Sequence, residues 1–133
     1  MTITRLLVAN RGDVGVRVLR TAAALGLSTV AVAPEDDAGA LHVRRADASA
    51  RLPGTGPAAY LDVAAVVGAA VRAGADGLHP GWGFLAESPA LARACAGAGM
   101  TTAVISATKT NAMISAYVGS VMTRAKYPMR AAT

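Results

Sequence analysis

Two short stretches of this 133-residue chain hold residue types and spacings that could do chemistry. In the first, Asn10-x-Gly12-x-x-Gly15 keeps two of the three glycines of the dinucleotide-binding fingerprint. Such a turn aims backbone N–H groups from a helix N-terminus at a pyrophosphate. Glu35 lies about twenty residues on, where an acid would hold a ribose hydroxyl. Asn10 replaces the glycine of the tight turn, however, so a plain βα turn closed by Gly12 accounts for the same residues.

The second stretch, Gly77 to Glu87, holds the only Trp, the only Phe, one of the two His and the last acidic residue. Gly77, Pro80, Gly81 and Gly83 crowd it, so the backbone rather than a side-chain period sets its shape, and it reads as a loop. Trp82 and Phe84 either face a ligand or plug the end of a small core.

Other chemistry is poorly supplied. His42 and His79 stand far apart without companions, so no metal site is expected. His42 reads as an ordinary, partly exposed histidine. Cys95 is alone, which excludes an internal disulfide, and on the apolar side of a predicted helix it reads as a small buried hydrophobe. No Gly-Lys-Ser/Thr follows the glycines of Pro53-Gly54-Thr55-Gly56-Pro57, so there is no Walker loop. No catalytic residue is assigned.

The formal charge of +5 is unevenly placed. Up to Glu87 the charges balance; beyond it come Arg93, Lys109, Arg124, Lys126 and Arg130 with no acid. Five dispersed cations are a weak footprint, and nucleic acid is not expected as a partner. Charged residues interrupt every apolar run before a membrane span is reached, and Arg5 and Arg11 break up any signal-peptide core. A cytoplasmic location is the expectation.

The elements that must position these residues follow from periodicity. Ile3 to Ala9 reads as a buried strand. From Asp13 a helix follows, with an apolar stripe through Val14, Val18, Ala22 and Leu25, flanked by Leu19 and Ala23, ending at Gly26. Arg17 and Arg20 share its exposed face. Ser28 to Ala33 is a second strand, which makes a parallel βαβ unit. Ala38 to Ala46 is a short helical turn, Ala48 to Leu52 an edge strand, and Asp62 caps a helix over Val63 to Ala73. Asp76 to Leu78 is a short strand into the Trp82 loop. Ser88 and Pro89 open a helix to about Ala98, and Thr101 to Ile105 is a last strand. The fold class is α/β with a short parallel sheet. Loops at the carboxyl ends of its strands, Asn10-Arg11-Gly12 and His79 to Glu87, form the ligand edge.

The motifs Leu7-Val8-Ala9-Asn10-Arg11-Gly12-Asp13 with Arg17 and Arg20, Ala40-Leu41-His42-Val43, Tyr60-Leu61-Asp62, and His79-Pro80-Gly81-Trp82-Gly83-Phe84-Leu85-Ala86-Glu87 stand in one order over roughly residues 2 to 100. In these the chain resembles the N-terminal domain of biotin carboxylase, the ATP-dependent component of acetyl-CoA, propionyl-CoA and pyruvate carboxylases. The resemblance implies a Rossmann-like, three-layer domain of the kind that precedes an ATP-grasp region, over residues 1–106, followed by a divergent basic tail over 107–133. It implies a family reaction in which bicarbonate is phosphorylated by MgATP and biotin is carboxylated on its carrier protein.

By motif, Trp82 and Gly83 fall beside the family's biotin, and Arg17 and Arg20 on a helix used in dimer contacts. The family usually has Tyr at position 82, and Trp82 keeps the apolar face but offers only an N–H donor. An acidic partner one helical turn after Arg20 is Ala24 here. From Thr101 onward the family pattern weakens, without the acid and lysine expected near Met113. On this reading the chain is a fragment truncated before the ATP-grasp residues, not expected to turn over or to bind ATP, Mg or biotin tightly by itself. Its partners are the remainder of a biotin carboxylase, the biotin carboxyl carrier protein, or a second copy. A docking or dimerisation module without a ligand and a small nucleotide binder using Asn10, Gly12, Gly15 and Glu35 are the alternatives.

Overall fold

A computed structural model describes residues 3–102. The strands are β1 (Arg5–Val8), β2 (Ser28–Ala33), β3 (Ala48–Arg51), β4 (Gly77–His79) and β5 (Thr101–Thr102), and all pair in parallel in the order β3-β2-β1-β4-β5. Parallel pairing needs crossovers, which the helices supply. These are α1 (Gly12–Ala24), α2 (Leu41–Arg45), α3 (Val63–Arg72) and α4 (Pro89–Gly97), with 3-10 turns at Glu35–Asp37, Pro57–Leu61 and Phe84–Glu87.

The core divides as strand alternation requires. Leu7 and Ala9 join Val30, Val32 and Leu78 beneath α3 and α4, whereas Leu6 and Val8 face Leu19 and Ala22 of α1. Helices therefore cover both faces, and β2 is buried from Thr29 to Ala33. Edge strand β3 leaves Ser49 and Arg51 exposed.

Caps form where the residue types require them. The Asp62 carboxylate accepts from Ala65 N at 3.0 Å and the Ser88 hydroxyl from Leu91 N at 3.2 Å. Gly26, at φ 79°, closes α1 with bonds from Gly26 N to Ala23 O and from Leu27 N to Ala22 O.

Three expectations need correction. The fully buried positions of α1 are Gly15, Val16, Leu19 and Ala22, whereas Val14, Val18 and Leu25 of the expected stripe are only partly buried, Val18 against the cluster of Leu6, Val8, Leu19 and Ala22. The reason is Gly15: a Cβ there would stand 3.0 Å from the Asn10 carbonyl oxygen and 3.3 Å from His42 Cβ, so the helix turns this bare position inward. Asp76 is not in β4; its carboxylate accepts from Thr4 N, Thr4 Oγ1 and Arg5 N, the last at 2.8 Å, and so holds the start of β1. Strand β1 itself is shorter than Ile3 to Ala9. The expected strand beyond Thr102 and the tail over 107–133 lie outside the described residues.

Candidate functional site

The carboxyl ends of the adjacent strands β1 and β4 bring Asn10-Arg11-Gly12 against the His79 to Glu87 loop. The two strands remain bonded up to this edge, with Ala9 N donating to His79 O at 2.9 Å. Asn10 is 1% exposed. Its Nδ2 donates to Pro80 O at 2.8 Å and to Trp82 O at 3.0 Å, while its Oδ1 accepts from Arg11 N at 2.8 Å. Both side-chain N–H bonds are thus spent on the loop.

Gly81 lies between these carbonyls at φ 68°, and a Cβ on it would stand 2.5 Å from Val14 Cγ1 and 3.1 Å from Asn10 Nδ2. His79 Nδ1 accepts from Gly81 N at 2.9 Å, which requires the neutral ring with its proton on Nε2. Burial holds the His79 pKa below the ordinary value and favours that form.

The loop then turns outward. Trp82 is 52% exposed, so it does not plug the core. Gly83, at φ 70°, has open space where a Cβ would stand. Phe84 has φ 47°, an uncommon backbone for a bulky residue, and its ring lies 5.8 Å from that of Tyr60 at 37°.

Tyr60 is fully buried and anchors a network absent from the sequence reading. Its hydroxyl donates to Asp37 Oδ2 at 2.8 Å, and Arg11 Nε pairs with that oxygen at 3.0 Å. The Arg11 guanidinium stands 5.8 Å from the Tyr60 ring centroid. Burial, reinforced by the bond to Asp37 and its charge, pushes the phenol pKa well up, so Tyr60 stays protonated. His42 joins from beneath: Nε2 faces Val32 O at 3.0 Å, which only accepts, so it carries the proton, and Tyr60 Oη is 3.3 Å away. At 1% exposure His42 is a core residue, which corrects the expectation of a partly exposed histidine; its amphipathic ring is covered because α2 packs it on β2. The only sequence signals for this network were the paired acids after β2 and the Tyr of Tyr60-Leu61-Asp62.

The nucleotide constellation is divided. Asn10, Gly12 and Gly15 meet at the start of α1, where Gly12 has φ 59°. Glu35 is exposed and has Arg51 of β3 as its partner at 3.7 Å. Arg17 and Arg20 are both exposed on α1; Arg17 pairs with Asp13 at 3.1 Å, and Arg20 borders a groove of about 400 Å³ with Arg11, Val16, Leu41 and His42. Cys95 is buried, and burial raises its thiol pKa. Among the described residues no three His, Cys, Asp or Glu side chains group to hold a metal ion, and no helix is long and apolar enough to cross a membrane.

This geometry has known counterparts. The family model for the biotin carboxylase N-terminal domain matches residues 2–112. The chain is 52% identical over 101 residues to methylcrotonoyl-CoA carboxylase subunit alpha, mitochondrial, of Oryza sativa subsp. japonica, a match covering 74% of this chain and 14% of that protein. Among solved structures, the biotin carboxylase domain of a single-chain bacterial carboxylase is 53% identical with a TM-score of 0.72, over 75% of this chain and 23% of that one. The biotin carboxylase domain dimer of Hydrogenobacter thermophilus 2-oxoglutarate carboxylase, in complex with MgADP, ADP and bicarbonate, is 40% identical with a TM-score of 0.71, over 77% of this chain and 22% of that one. The chain therefore spans under a quarter of the length of each of these proteins. The motifs at the sheet edge, the five-stranded parallel sheet that carries them and these matches agree: the chain belongs to the biotin carboxylase N-terminal domain family.

Proposed function

We propose that this chain supplies the biotin-facing loop of a biotin-dependent carboxylase, and that bicarbonate activation by MgATP is carried out by residues outside it. The observation that carries this reading is the exposed Trp82 ring beside open Gly83, on a main chain held by the buried Asn10 amide. An exposed aromatic face next to unhindered backbone suits a flat, apolar-bodied bicyclic group with a polar edge. Biotin fits there. It brings the ureido nitrogen that accepts the carboxyl group; Trp82 and Gly83 orient it and exclude water from one side.

The side chains of this edge are poorly placed to serve MgATP: the Asn10 donors are already bonded to Pro80 and Trp82, and the Asp37 carboxylate is engaged by Arg11 and Tyr60. Phosphoryl transfer needs cations and metal ligands placed on the transferring group. Those belong to the remainder of the carboxylase, which this reading makes the chain's partner along with the biotin carrier protein. Arg17 and Arg20, exposed on α1, are the proposed contacts for a second copy, and Arg17→Glu should then shift a dimer to monomer in sedimentation.

The test is complementation. The purified chain is mixed with the rice relative lacking its matching segment, and bicarbonate-dependent ADP release with free biotin is followed. Turnover should need both parts and fall about tenfold or more with Trp82→Ala. Turnover that is indifferent to Trp82→Ala, or absent from every mixture while both parts are folded, defeats the proposal.

A further inference from the structure

We propose that the dipeptide Asn10-Arg11 is the mount of the Trp82–Gly83 loop, with Asn10 and Tyr60 as positioning residues that hold its two ends. This rests on the reading of Trp82 and Gly83 as the biotin-facing pair and adds what sets their geometry.

At the leading end, one side chain bridges two carbonyls: Asn10 Nδ2 donates to Pro80 O and Trp82 O, and so sets the Pro80–Gly81 and Trp82–Gly83 peptides. An amide is the suitable group, because its one nitrogen carries two diverging N–H donors and it brings no charge into a buried position. The α1 helix backs this contact through Val14, against which Gly81 lies too closely for a side chain. At the trailing end, Phe84 sits in the left-handed region, and such a backbone persists only where its surroundings over-determine it. The restraints present are the Ala86 N to Gly83 O bond at 2.9 Å and the Tyr60 ring beneath Phe84. Arg11 reaches that end through Asp37, which both it and Tyr60 bind. Neighbouring residues of one motif thus hold opposite ends of the other, and Trp82 and Gly83 lie between the restraints.

The test reads the loop without biotin, so it stands whether or not Trp82 meets biotin. Trp82 is the only tryptophan, so its fluorescence anisotropy reports this loop alone. In the wild-type chain both Asn10 side-chain amide protons should exchange slowly with solvent deuterium. In Asn10→Ala the Gly81 and Ala86 amides should exchange about ten- to a hundredfold faster, Trp82 anisotropy should fall, and the Val30 to Val32 amides should change by a smaller factor. Tyr60→Phe, which keeps the ring under Phe84 but loses the bond to Asp37, should lower Trp82 anisotropy in part, and Tyr60→Leu should lower it further. Fast exchange of the Asn10 amide protons in the wild type overturns the mount even if Asn10→Ala does not fold. So does equal acceleration of loop and β2 amides in the folded variant, or anisotropy that ignores both Asn10→Ala and Tyr60→Leu.

Discussion

Asn10 and Trp82, 72 positions apart in the chain, are joined by a 3.0 Å hydrogen bond from a buried side-chain amide to a main-chain carbonyl. The same nitrogen donates to Pro80 O, so one residue at the end of β1 shapes the loop that leaves β4. An isosteric change tests how far that donor capacity matters. Asn10→Asp turns a carboxylate toward two carbonyls and should cost about 2–4 kcal/mol at neutral pH. Repulsion and burial raise the new acid's pKa, so the loss should shrink as pH falls toward its protonated form. Urea midpoints of variant and wild type at pH 7 and pH 5 give the comparison; a deficit that grows on acidification contradicts the donor role.

Gly81 is constrained twice, by its φ of 68° and by Val14. Gly81→Ala should destabilise by about 2–4 kcal/mol, of which the left-handed backbone accounts for about 1. Removing the obstructing methyl should recover part of the rest, so Val14→Ala should cost less in the Gly81→Ala background than in the wild type. Additive single-variant losses in a double-mutant cycle would falsify the contact.

His79 should impose a mild acid sensitivity. Burial places its folded-state pKa below 6.5, so the unfolded chain takes up a proton first as pH falls. Stability is then full above pH 6.5, declines as pH drops from there through the folded-state value, and changes by no more than about 1.4 kcal/mol per pH unit. Protonation also removes the Nδ1 acceptor of Gly81 N. Chemical denaturation from pH 7.5 to 5 should show this slope in the wild type and lose it in His79→Gln. An unchanged slope in the variant assigns the effect elsewhere.

Asp76 acts at the opposite edge of the sheet. Burial alone would raise its pKa, but bonds from Arg5 N and Thr4 N outweigh that and hold it below 3.8. A depressed carboxylate contributes stability above its unfolded pKa and loses it as pH falls through the folded value. Asp76→Ala should cost about 1–3 kcal/mol at pH 7 and leave Trp82 anisotropy unchanged, since it frees the start of β1 rather than the loop. A thermal melt and an anisotropy reading on the same sample decide it.

The sequence by itself determined the layered α/β fold, the cap residues Asp62 and Ser88, the turn at Gly26 and the family motifs. These depend on contacts between residues near in the chain or on a simple apolar period, and both are visible in one dimension. The rotation of α1, the burial of His42 and the Asp37 to Tyr60 network were decided only when parallel pairing brought the ends of β1, β2 and β4 together. Asn10 shows the difference most clearly. In sequence it stands in a glycine pattern that suggests phosphate; in the fold its donors are taken by carbonyls of the Trp82 loop. A hydrogen-bonding side chain announces its capacity in the sequence, but its partner is set by which strand lies alongside, and that is a property of the sheet.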